Sequence, residues 1–126
     1  TFGQPKAAPF MDLVKAFKIL DVDDRGGRPL EAEVQVMALG ADVAVVGLPG
    51  EIFTELGLAI KSASPFRFTV VAELSNGSLG YIPNRKAYPE GAYEPVSARC
   101  AAGSGEMLVD AATRLLVELH TAAQPK

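Results

Sequence analysis

The sequence is short of the side chains that most often carry chemistry: in 126 residues it has one cysteine, one histidine and no tryptophan. A single cysteine, Cys100, excludes an intrachain disulfide and any cysteine-built zinc site. A single histidine, His120, excludes a paired-histidine metal motif within the chain. A basic excess is also lacking, since 12 Lys and Arg stand against 15 Asp and Glu, a net charge of -3. Nucleic acid, whose binding rests on neutralising phosphates, is therefore not an expected partner. The longest apolar-leaning stretch, Val43 to Leu48, falls far below the roughly 20 residues that span a bilayer. Thr1 to Phe10 lacks the apolar core of a signal peptide. The chain begins with Thr1 rather than Met, which favours a processed or truncated product, and its compartment is left open.

What is present is ordinary globular material, 48% hydrophobic and 21% charged, enough for one domain with a real core. Residues 1–9 read as an arm punctuated by Gly3, Pro5 and Pro9, residues 10–122 as a single domain, and 123–126 as a tail. Phe10, Leu13, Val14, Phe17 and Leu20 recur at helical spacing and predict a helix from Phe10 to Leu20, ended by the acidic and glycine-bearing run from Asp21 to Gly27. Ala32 to Leu39 alternates, with Val34, Val36 and Ala38 on one face, as in a half-buried strand. After a Gly40-Ala41-Asp42 turn, the apolar run Val43 to Leu48 reads as a buried strand, and the pair as an antiparallel hairpin.

Glu51 to Ser62 is periodic and predicts a helix, Phe66 to Leu74 another strand, and residues 84–102 a long irregular loop. Glu106 to Ala122 predicts a last helix whose apolar stripe includes Met107, Leu108, Ala112, Leu115, Leu116 and Leu119. Ser104 is placed to cap it, and Glu106 to favour its positive end. The order gives a mixed α/β fold: a small three-stranded mixed sheet with a β-hairpin, covered by about three helices. So thin a sheet is expected to pair its edges with another chain or with further sequence.

Few residues offer chemistry. Glu51 follows a Pro-Gly turn where a buried strand ends, a position at which ligands gather in α/β folds. The plain alternative is a first-turn glutamate favouring the helix dipole by about 0.3–1 kcal/mol. Tyr81, Tyr88 and Tyr93 lie among Arg85, Lys86 and Glu90, and such tyrosines more often pack than react. Asp21-x-Asp23-x-Arg25-Gly26 opens like a calcium loop but has Ala32 where the bidentate glutamate belongs, so calcium is rejected. Gly103-Ser104-Gly105 offers backbone amides to an anion without the lysine of a phosphate loop. Cys100 reads as an inert buried thiol, and His120 as structural or solvent-facing.

Three segments taken together resemble one family. They are Val45-Val46-Gly47-Leu48-Pro49-Gly50-Glu51-Ile52-Phe53, then Asn76-Gly77-Ser78-Leu79-Gly80-Tyr81-Ile82-Pro83, then Ala87-Tyr88-Pro89-Glu90-Gly91-Ala92-Tyr93-Glu94. They look like the neutral/alkaline ceramidases, and more particularly the shorter ceramidase-like proteins of bacteria. The similarity runs from about Leu30 to Leu119 and corresponds to the last part of that family's catalytic domain. It implies a zinc-dependent amidohydrolase acting on a lipid amide, its zinc held by two histidines, a glutamate and a tyrosine. The Pro-Gly-Glu element places the glutamate at Glu51, and the Gly-Tyr element places the tyrosine at Tyr81. Tyr93 matches a second tyrosine near the zinc-bound water and the substrate oxygen.

The family's two zinc-binding histidines belong to an earlier portion than the one resembled, and His120 lies in the wrong element to replace either. Asn84 stands where true ceramidases commonly carry threonine, and their immunoglobulin-like C-terminal domain has no counterpart. The resemblance therefore implies a chain that gives zinc a glutamate and a tyrosine, needs a preceding segment for the histidines, and is inactive and weak in zinc binding alone. Two other readings are kept: a stand-alone oligomerising module without catalysis, paired through its sheet edges, and a small-anion binder at residues 103–105.

Overall fold

A computed structural model describes residues 8–123; most of the expected arm (residues 1–7) and tail (residues 124–126) lie outside the described residues. The chain divides into two compact units, one through Leu30 and one from Glu31 onward. The first unit is built on helix α1, Phe10–Asp24. It runs a turn past the expected stop at Leu20, because acidic residues do not by themselves break a helix. Arg25 reaches back one turn, its Nε 3.2 Å from the carbonyl oxygen of Asp21 and its guanidinium 3.4 Å from that residue's carboxylate. Termination comes at Gly26 and Gly27, whose φ of 55° and 76° belong to the left-handed region that glycine enters without penalty. None of the apolar residues of α1 is buried.

In the second unit the hairpin forms as expected, with β1 (Gln35–Leu39) antiparallel to β2 (Val43–Gly47). The hydrogen-bonded part of β1 starts three residues later than the alternation predicts. Gly40 turns the hairpin at a φ of 76°. Strand β4 (Phe68–Ala72) lies parallel to β2 on its other side, giving the sheet order β1-β2-β4. Ala44 and Val46 of the central strand are fully buried, while Val43 and Val45 on its other face are half-buried.

One face of this sheet is covered by α2 (Thr54–Ala63) and α4 (Ser104–Ala123). The core is built from Ala44, Val46, Leu48, Leu56, Ile60, Phe66, Ala112 and Leu116, with Val36, Ala38 and Val71 packed against it. At about 25 cal/mol per Å² of apolar surface, each fully buried Leu or Ile here stabilises the fold by roughly 1.5–3 kcal/mol. In α4 the apolar stripe is real, but Met107 is 71% exposed and does not belong to it. Ser104 is the first residue of α4 rather than its cap.

Two corrections bear on function. Glu51 and Ile52 do not open a helix: they form a two-residue strand, β3, and α2 starts only at Thr54. Tertiary pairing overrides the helical periodicity there. Strand β3 runs parallel to β5 (Tyr81–Ile82), with the Glu51 amide donating to the Gly80 carbonyl at 3.0 Å and the Phe53 amide to the Ile82 carbonyl at 3.2 Å. The stretch 84–102 is not an irregular loop either, since it holds a 3-10 helix at Arg85–Glu90 and a short helix α3 at Tyr93–Ser97. Asn84 starts the 3-10 helix by accepting the amide of Ala87 on its side chain at 3.0 Å, the ordinary work of an asparagine at that position.

Candidate functional site

Strands β2 and β4 run parallel, and the chain leaves the C-terminal end of β2 through Leu48-Pro49-Gly50 into β3. This turn is buried. A Cβ on Gly50 would meet Ile82 Cδ1 at 2.6 Å and the Gly80 carbonyl oxygen at 2.9 Å, inside van der Waals contact. Glycine here lets β3 lie against β5, and that closeness sets the register in which Glu51 is the direct partner of Tyr81. Neighbours so paired project to the same side of a two-stranded ribbon, so carboxylate and phenol share one surface at the strand ends.

Tyr93, the first residue of α3, completes the group. Its ring meets that of Tyr81 edge to face, centroids 5.8 Å apart and planes at 77°, the arrangement that aromatic quadrupoles favour. Glu51 and Tyr81 are half-buried and Tyr93 is exposed. The phenol of Tyr81 is pushed above its ordinary value, first by the nearby Glu51 carboxylate, then by burial, with Tyr93 and Glu94 adding to it. A negative charge beside a phenol disfavours the phenolate.

Behind Tyr81, a second set of contacts holds the strand. Tyr88 donates its hydroxyl to the Cys100 carbonyl at 2.9 Å and lies 3.4 Å from the Cys100 sulfur, while that thiol points at the Tyr81 carbonyl at 3.8 Å. Burial, then the hydrogen bond to Cys100, raise the Tyr88 phenol. Cys100 is half-buried rather than fully buried, and it is bonded into this network. Nothing in the sequence marks the pair as partners, because only the fold joins the 3-10 helix to the segment before α4. His120 stands apart, packed edge to face on Phe66 at 4.9 Å.

The start of α4 is occupied by the chain's own groups. Glu106 accepts the backbone amide of Arg85 at 2.7 Å, and the Arg85 guanidinium packs against Gly103.

As a metal centre, the Glu51–Tyr81 pair supplies two oxygen donors. Among the described residues no group of three His, Cys, Asp or Glu side chains is arranged to hold a metal ion. A catalytic zinc site uses three protein ligands and keeps one position open, so the residues present do not by themselves make such a site.

No protein family's sequence profile matches the chain, and no curated protein matches it. Solved structures do. The fold is similar to a ceramidase complexed with C2, at a TM-score of 0.63 and 20% identity over 74% of this chain. It is also similar to the neutral ceramidase of Pseudomonas aeruginosa, at a TM-score of 0.65 and 16% identity over 98% of this chain. The chain spans 15% and 21% of the length of those two proteins. At this identity the likeness establishes the fold, which is ceramidase-like.

Proposed function

We propose that the chain is the C-terminal portion of the catalytic domain of a ceramidase-like zinc amidohydrolase, of the shorter kind found in bacteria. In this reading Glu51 and Tyr81 are two of the zinc ligands, and Tyr93 lies beside the substrate oxygen. The remaining ligands come from polypeptide outside residues 1–126, and the substrate class is a lipid amide. One observation carries the reading. Three residues singled out by separate motifs, at positions 51, 81 and 93, meet on one surface through the β3–β5 register and a ring contact. A purely structural Glu51 needs no phenol as its register partner, and a purely packing Tyr81 needs no carboxylate beside it.

The Glu51 carboxylate that raises the Tyr81 phenol would be offset by a cation bound between the two. A protonated phenol next to a carboxylate is held neutral until a cation displaces its proton, and metal ligation releases protons for that reason. Zinc binding by the chain alone is expected to be weak, with amide hydrolysis absent. Zinc titration by calorimetry on the purified chain, beside Glu51→Gln and Tyr81→Phe, tests this. Weak binding that each substitution abolishes supports the assignment. Binding that survives both substitutions unchanged removes these residues from any metal site.

A further inference from the structure

Strand β5 is only two residues long. Toward β3 it presents the Gly80 and Ile82 carbonyls, which accept the amides of Glu51 and Phe53. Carbonyls alternate in direction along a strand, so the Tyr81 carbonyl between them points to the opposite edge. The Cys100 thiol lies on that edge, its sulfur 3.8 Å from the oxygen. Tyr88 fixes Cys100 in turn. Its one hydroxyl proton goes to the Cys100 carbonyl at 2.9 Å, and its oxygen lies 3.4 Å from the sulfur. The 3-10 helix that carries Tyr88 is itself anchored, by the Asn84 side chain on the Ala87 amide at 3.0 Å and by Glu106 of α4 on the Arg85 amide at 2.7 Å. Between Tyr88 and Cys100 the chain runs out through α3, whose first residue is Tyr93. The Tyr88–Cys100 bonds therefore close the loop that presents Tyr93, and the thiol ties the base of that loop to Tyr81.

We infer that Tyr88 and Cys100 are positioning residues for the Glu51–Tyr81 site: their hydroxyl and thiol hold the outer edge of β5, so that the Tyr81 phenol stays beside Glu51 and against the Tyr93 ring. Both act through main chain, at the Tyr81 carbonyl and at the base of the loop carrying Tyr93. A strand of two residues resists rotation about its axis poorly, and such a rotation would swing the phenol away from its partners. Functional side chains keep their geometry when neighbours locked by packing and hydrogen bonds support them. A metal on this pair is the proposed function, and the inference rests on that reading for its consequence in zinc binding. The geometry it concerns, a phenol paired with a carboxylate and a second ring, is present in the chain without metal.

Nuclear magnetic resonance of the tyrosine-labelled chain tests this, because with three tyrosines the Tyr81–Tyr93 ring contact gives a cross-relaxation peak that can be assigned singly. The probes are Tyr88→Phe and Cys100→Ala, with Cys100→Ser to keep a donor. Ile60→Val is the control, since Ile60 is fully buried in the core and lies outside the network. Circular dichroism checks that each variant is folded, and if one probe fails to fold the other decides. The expected result is a ring peak strongly weakened in Tyr88→Phe and Cys100→Ala, less so in Cys100→Ser, and intact in Ile60→Val. Zinc affinity, read by calorimetry on the same proteins, should fall about tenfold in the two probes, the low end of what losing a supporting contact costs a metal site. A ring peak unchanged in both probes overturns the inference. So does a peak that Ile60→Val weakens equally, which makes the network structural only, or zinc binding that Glu51→Gln abolishes and both probes leave intact. A wild-type chain that binds no zinc removes the metal assignment alone, and the ring peak then decides the positioning by itself.

Discussion

Glu51 and Tyr81 stand thirty positions apart in the chain and become register partners in the fold. Their mutual effect is electrostatic, and it yields a direct prediction. Because the Glu51 carboxylate is the largest cause of the raised Tyr81 phenol, Glu51→Gln should bring that phenol down toward the ordinary tyrosine value of about 10. Ultraviolet titration, with Tyr88→Phe and Tyr93→Phe variants to assign the steps, reads it. A Tyr81 step unmoved by Glu51→Gln would show that the two side chains do not face each other. The same shifts set the alkaline limit of stability. Tyr81 and Tyr88 are both raised in the folded chain, so the unfolded chain loses those protons first. Unfolding free energy is then fully present below about pH 10 and falls as pH rises through the folded-state values. Urea midpoints measured from pH 8 to 11.5 should decline above pH 10, and less steeply in Tyr88→Phe.

At the scale of elements, the decisive feature is how closely β3 approaches β5. Gly50 makes it possible, since any side chain there collides with Ile82 and the Gly80 carbonyl. Gly50→Ala should cost about 1–3 kcal/mol, the usual range for overpacking. It should also return the Tyr81 titration toward normal, because the register that brings Glu51 beside it is displaced. Loss of stability with an unchanged Tyr81 titration would uncouple the turn from the site. Gly105 plays a similar part for α4: a Cβ there would come within 2.9 Å of the Pro83 carbonyl oxygen. Gly105→Ala should therefore loosen the contact between α4 and the segment after β5, seen as a lowered thermal midpoint.

At the scale of the whole molecule, the stability of the unit from Glu31 onward rests on the core layer between the sheet and α2 with α4. Leu116 is fully buried in it, so Leu116→Ala should lower the unfolding free energy by about 2–5 kcal/mol. Urea denaturation should show the loss in the midpoint with the slope retained. A loss below 1 kcal/mol would mean that α4 is not seated on the sheet as described.

Much of the fold was legible in the residues themselves. The alternation of Val34, Val36 and Ala38, the apolar run through Val46 and the stripe through Leu116 are local patterns. Burial on one face imposes them directly on the sequence, so the hairpin, the mixed three-stranded sheet and α4 could be read without coordinates. The C-terminal end of α1 and the start of α2 could not. Acidic residues are weak helix stops, and Glu51 obeys a strand partner thirty residues away rather than its own periodicity. Glu51, Tyr81 and Tyr93 were marked by motif. Their meeting on one surface and the Tyr88–Cys100 contacts behind Tyr81 were decided by tertiary structure alone. Each depends on pairing between segments remote in the chain, and no local pattern of side chains encodes which strand another will lie against.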